Sequence, residues 1–141
     1  MRKLLLVIFL LSFHILSSAP IKKAIYLSMP PTINIIDTIR EQYEPLVKAI
    51  VAVESAGNPN AYNKAEGAIG AFQIRLCRIK HYNKLTGKHY THEDMYDFDK
   101  AKEVFLYFAA GKPFEQAAKN WNGSGPMTIN YWHKVQKHLN S

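Results

Sequence analysis

The sequence predicts a mainly α single domain of five or six helices, interrupted near residue 60 by one glycine-rich loop or short hairpin. Three observations carry that expectation. A chain of 141 residues, 48% hydrophobic and 21% charged, is long enough to bury a core and too apolar for disorder. From residue 35 onward its apolar residues recur every three or four positions, and no segment alternates as a half-buried strand does. Residues 57–70 gather Gly57, Asn58, Pro59, Asn60, Asn63, Gly67 and Gly70, which is turn chemistry.

The N-terminal segment reads apart from the domain. Arg2 and Lys3 precede an apolar run from Leu4 to Phe13, and Ser17, Ser18 and Ala19 follow, giving the three zones of a secretory signal. The run is short against the roughly 20 residues that a bilayer-spanning helix needs. Residues 1–19 are therefore expected to be a cleaved signal peptide and the chain's one membrane contact, residues 20–32 a linker, and residues 33–141 the domain. Export to the periplasm or the exterior follows. Loss of Arg2 and Lys3 lowers the net charge from +7 to +5, a balance that suits an anionic polymer and equally serves solubility. The single Cys77 permits no internal disulfide, so stability must come from packing.

Within the domain, Ile35, Ile36, Ile39 and Tyr43 fall at helical spacing before Pro45, which predicts a first helix. Pro45 then suits the first turn of a second, where a missing N–H costs nothing. From Leu46 to Val53 only Lys48 is charged, so this helix should run through the core and stop at Gly57 and Asn58-Pro59. Phe72, Leu76, Ile79, Tyr82 and Leu85 mark an amphipathic helix up to Gly87. Thr91, Asp94 and Asp97 offer N-cap groups for helical turns leading into Ala101, Val104, Phe105 and Phe108. Pro113 opens a helix whose Phe114, Ala117, Ala118 and Trp121 share a face. After Gly123-Ser124-Gly125-Pro126 a last helix turns Tyr131, Trp132, Val135 and Leu139 inward.

Glu54 is the residue whose setting is chemically unusual. It ends an apolar helix, with Ile50 and Val51 one turn back on its own face. Poor solvation and the partial negative charge of a helix C-terminus both disfavour the carboxylate and raise its pKa. A carboxyl still protonated near neutrality can act as a general acid. Position alone allows equally a glutamate fraying at a helix end.

The flanking residues point to the chemistry. Glu54-Ser55 with Gly57-Asn58-Pro59-Asn60-Ala61-Tyr62-Asn63 resembles the catalytic segment of the soluble lytic transglycosylase family, E-S-x-x-[N]-P-x-A. Gly67-Ala68-Ile69-Gly70-Ala71-Phe72-Gln73-Ile74 is similar to that family's G-A-x-G-L-M-Q-[IV], with Ala71-Phe72 in place of Leu-Met. Asn120-Trp121-Asn122-Gly123 and Tyr131 resemble its A-Y-N-x-G block and later tyrosine, with Trp121 where a tyrosine is usual. Three such blocks in this order, spread over residues 45–135, make a specific signal.

The resemblance implies a goose-type lysozyme-like fold and a peptidoglycan glycan strand as partner. It implies Glu54 as the one catalytic acid and base, which protonates the leaving oxygen and then takes the proton of the muramoyl C6 hydroxyl, giving a 1,6-anhydro sugar without a cofactor. Two-carboxylate glycosidases need a second acid for water or for direct attack. Glu66 is the one acidic residue between Glu54 and Glu93, so a hydrolytic lysozyme using both is the alternative. Substrate-binding positions implied by the match are Gln73, Asn122 and Tyr131, the last able to hydrogen-bond Glu54. Ser55 can bind a sugar, orient Glu54 or cap the helix end. Tyr62 and Tyr90 offer flat faces for sugar rings or serve packing.

Other chemistries find less in the chain. No histidine pair has the i, i+4 spacing of a helical zinc site, His89 and His92 coming nearest, so no metal is expected. Cys77 falls mid-helix and reads as small, buried or inert rather than nucleophilic. Basic residues are dispersed, which argues against nucleic acid. Outside enzymes, a glycan-binding scaffold is the rival, which the glutamate in its apolar setting disfavours. The small domain suits local recruitment by a cell-envelope machine.

Overall fold

In the computed structural model, which describes residues 34–141, the chain enters a long helix, α1 (Ile35–Ser55), capped by the Asn34 side chain, which accepts a hydrogen bond from Ile36 N–H at 3.1 Å. The expected signal segment and the whole of the expected linker lie outside the described residues. One helix replaces the two expected on either side of Pro45. A proline inside a helix costs about 3 kcal/mol, since Glu41 loses its bonding N–H partner. The side chains around it offset that cost, because Tyr43, Leu46, Val47, Ala49 and Ile50 are all buried in the core. Tyr43 adds a tie of its own, its hydroxyl donating to the Lys112 carbonyl at 2.7 Å and accepting from Lys112 N–H at 3.0 Å.

The helix stops at Ser55, just before the expected glycine. Ala56 adopts a left-handed conformation with φ 53°, and Gly57 N–H closes on the Val51 carbonyl at 3.3 Å. The chain then builds a small antiparallel sheet of β1 (Tyr62–Asn63), β2 (Ala68–Ile69) and β3 (Ile74–Arg75) in the order β1-β2-β3, with Tyr62 opposite Ile69 and Ile69 opposite Ile74. Asn63 Oδ1 holds the first turn by accepting from Ala65 N–H at 3.1 Å. The second turn contains Gly70, with φ 76°, where a Cβ would sit 2.0 Å from the Met95 carbonyl oxygen. Only glycine fits there.

Helix α2 (Leu76–Thr86) therefore begins four residues later than the spacing of Phe72 suggests. Phe72 is fully buried, but it reaches the core from a turn, packing on Phe105 at 5.5 Å and Trp121 at 6.4 Å between ring centroids. The late start also corrects Cys77, which is the second residue of α2 and exposed, not buried at mid-helix. Gly87 ends α2 in a left-handed conformation as expected. Thr91 and Asp94 then cap each other around a 3-10 turn, Glu93–Tyr96, and Asp97 caps α3 (Phe98–Ala109) by accepting from the N–H groups of Asp99 and Lys100.

Pro113 precedes α4 (Phe114–Asn122), and α5 (Met127–Leu139) completes five α-helices among the described residues. The mainly α expectation holds, with the predicted hairpin realised as three two-residue strands. Helix α5 packs chiefly on α1 and α4. That packing brings Tyr131 and the end of α4 beside the end of α1. No described helix is long and apolar enough to cross a membrane.

Candidate active site

Glu54 lies in the last turn of α1, at the mouth of a polar cleft that it lines with Asn63, Glu66, Gln73, Arg75, Arg78, Trp121 and Asn122. Its depth follows from the helix that carries it, since Ile50 and Val51 one turn back are buried. The Tyr131 hydroxyl, 77 residues away in sequence, donates to Glu54 Oε1 at 2.6 Å. Burial raises the Glu54 pKa above the ordinary carboxylate range. The Tyr131 hydrogen bond opposes that, the negative charge of Glu66 adds to it, and Arg78 and Arg75 oppose it. Burial, the neighbouring Glu54 charge and that same hydrogen bond raise the Tyr131 pKa, so Tyr131 is a fixed donor at any ordinary pH.

Gln73 sits at φ 48°, a left-handed position that non-glycine residues seldom take. Its side-chain Nε2 donates to the carbonyls of Gly70 at 3.0 Å and Ala61 at 3.4 Å, which holds the amide across the second turn, and the residue lines the cleft. Asn122, the last residue of α4, faces the same space. Ser55 is placed differently. Its hydroxyl donates to the Ala71 carbonyl at 2.9 Å and lies 3.2 Å from that of Val51, so it ties the end of α1 to the Gly70 turn and does not line the cleft.

Trp121 also lines the cleft. Its indole N–H donates to the Phe72 carbonyl at 3.3 Å, and its ring meets Phe105 edge-on at 5.0 Å. In place of a hydroxyl it offers a flat face, over which the Arg78 guanidinium lies at 4.0 Å from the ring centroid. Arg78 Nη2 donates to the Trp121 carbonyl at 2.8 Å. Sequence reading missed Arg78, Arg75 and Asn63 as cleft residues. The signal available was a pair of cations three residues apart directly after the Gln73 block.

Three other residues are accounted for outside the cleft wall. Tyr62 is exposed on β1. Tyr90 packs on Tyr82 at 5.8 Å and donates to Glu103 at 2.8 Å. His92 Nε2 lies 2.8 Å from the Ile74 carbonyl, bracing β3.

A small helical domain with a part-buried acid lining a polar groove is consistent with a lysozyme-like fold. The comparison with family models agrees. The transglycosylase SLT domain model matches residues 32–104, just over half of the chain, and the chain belongs to that family. The matched span includes Glu54, Ser55, Gln73 and Arg78, whereas Trp121, Asn122 and Tyr131 lie beyond it and join the site through the fold. No curated protein and no solved structure matches the chain. Family membership carries glycan cleavage of the lytic-transglycosylase or lysozyme kind, with peptidoglycan as the polymer and action outside the cytoplasm.

Proposed function

We propose that the protein cleaves the bond from N-acetylmuramic acid to N-acetylglucosamine in peptidoglycan and leaves a 1,6-anhydro end, with Glu54 as its single acid and base. The observation that carries this reading is the Glu54 carboxyl itself, part-buried, raised in pKa and held by Tyr131 at the edge of a polar cleft. The protonated carboxyl gives its proton to the glycosidic oxygen as the bond to C1 breaks. The carboxylate that results is stabilised by the Tyr131 hydroxyl and takes the proton of the C6 hydroxyl as O6 bonds to C1. The proton returns to Glu54 and no water is consumed. Gln73, through its free amide oxygen, and Asn122, through amide donor and acceptor, hold the acetamido and hydroxyl groups of the strand. Residues 1–19 direct the chain out of the cytoplasm, where its polymer lies.

One observation favours a second reading. Glu66 lines the same cleft as Glu54, where a second carboxylate could activate water. Against that role, Glu66 is exposed and pairs with Arg75 at 3.8 Å. Digestion of purified wall by the wild type, Glu54→Gln and Glu66→Gln, followed by mass analysis, decides between them. Anhydro products from the wild type and Glu66→Gln, with loss of at least ~100-fold in Glu54→Gln, are expected from the contribution of general acid catalysis. Products heavier by one water, abolished in Glu66→Gln, would make the protein a hydrolase. Full activity in Glu54→Gln would remove that residue from the chemistry. Binding to the wall without products from any variant would make the domain a scaffold.

A further inference from the structure

The cleft holds two cations that differ in one respect. Arg75 is exposed and has a carboxylate partner in Glu66. Arg78 is part-buried and has no ion-pair partner among the described residues. Its one hydrogen bond is the contact with the Trp121 carbonyl, which leaves further N–H groups of the guanidinium for a ligand. A charge partly withdrawn from water without a counter-charge in contact is unfavourable, and an anion arriving in the cleft relieves it. The group is also preorganised. Its plane is fixed against the Trp121 ring, and that ring is fixed by Phe72 and Phe105, so little conformational freedom is lost when a ligand binds. A flat, fixed guanidinium matches a carboxylate, which it can grip with two parallel hydrogen bonds.

Resting on the peptidoglycan reading, we infer that Arg78 is a specificity residue that binds a carboxylate of the glycan strand next to the scissile bond. Two sources supply such a group. One is the lactyl carboxylate of a muramoyl residue that has lost its stem peptide, and the other is a carboxylate of an attached stem peptide. Neutral sugars and chitin-type strands offer none. Arg78 thereby separates wall glycan from uncharged glycans, a task that Gln73 and Asn122 cannot perform because their amides recognise groups present in both.

The test compares affinities of the full-length protein for three strands of equal length: peptide-free glycan, the same glycan with its lactyl carboxylates converted to methylamides, and peptide-bearing glycan. Calorimetry on the Glu54→Gln background prevents turnover, with and without Arg78→Gln or Arg78→Lys. At least tenfold tighter binding of the peptide-free or the peptide-bearing strand than of the methylamide is expected with Arg78 present. In Arg78→Gln that preference falls to near unity while affinity for the methylamide is unchanged, which shows that the cleft is intact. Arg78→Lys retains part of the preference, since it keeps the charge and loses the fork. Tight binding of the peptide-free strand identifies the lactyl group, and tight binding of the peptide-bearing strand alone identifies the stem peptide. Equal loss of affinity for charged and neutral strands in Arg78→Gln would mark a structural residue and overturn the inference. So would a preference unaltered by that substitution. Uniform binding of all three strands with Arg78 present would refute the carboxylate contact and leave the glycan reading standing, whereas binding of none would end both.

Discussion

Tyr131→Phe removes a single hydroxyl and leaves the buried ring in place. That hydroxyl donates at 2.6 Å to the Glu54 carboxyl, and both groups are largely shielded from water. A hydrogen bond to a charged acceptor contributes about 1.5–3 kcal/mol, and one between neutral groups about 1 kcal/mol. The stability lost in Tyr131→Phe should therefore grow from about 1 kcal/mol in acid, with Glu54 protonated, to about 2–3 kcal/mol once Glu54 is ionised. The direction of the pH dependence follows from linkage. Burial makes the folded carboxyl hold its proton more tightly than the unfolded one, so the wild type loses stability as pH rises from the ordinary carboxylate value through the raised folded value. The Tyr131 bond opposes this rise, and its removal lifts the folded pKa further. The decline in stability then extends to higher pH and becomes deeper. Urea unfolding of both proteins from about pH 4 to about pH 8 measures it. In parallel, the alkaline limb of the glycan-cleavage profile, where the acid loses its proton, should move to higher pH in the variant. A stability difference constant across pH, or a limb moving to lower pH, would refute this account of the pair.

Two further outcomes follow from the turn that carries Gln73. Gly70→Ala places a methyl group 2.0 Å from the Met95 carbonyl oxygen at φ 76°, so clash and backbone strain together should cost roughly 3–5 kcal/mol in urea unfolding, and a loss under about 1.5 kcal/mol would contradict the fit. Ser55→Ala leaves the buried Ala71 carbonyl without its donor and should cost about 1–2 kcal/mol of stability with little change in KM, whereas a raised KM at unchanged stability would give Ser55 a direct contact with the sugar.

Some of the site was legible because its signal is local. The apolar stretch before Glu54 announces a buried helix and hence a carboxyl with a raised pKa, and the structure has both. Other features misled for physical reasons. Pro45 reads as a boundary because intrinsic propensity penalises it, yet five buried neighbours on α1 carry the helix through. Phe72 has helical spacing with Leu76 and Ile79, but periodicity reports burial and not the backbone path that achieves it. The place of Arg78 carries no local signal, because what draws it to the cleft is Trp121, 43 residues further along the chain.

The sequence by itself determined the helical class, the caps at Asp97 and Gly87, the turn cluster after Glu54 and the family of motifs to which Glu54 and Gln73 belong. Those depend on residues close together in the chain, whose conformational preferences act before any packing. Only the tertiary structure decided what surrounds the acid. Tyr131 reaches Glu54 because α5 packs on α1, Trp121 becomes a platform because Phe72 and Phe105 fix it, and Arg78 is drawn over that platform without a carboxylate to pair with. These contacts span tens of residues, and their geometry is set by the closing of the core rather than by any local preference.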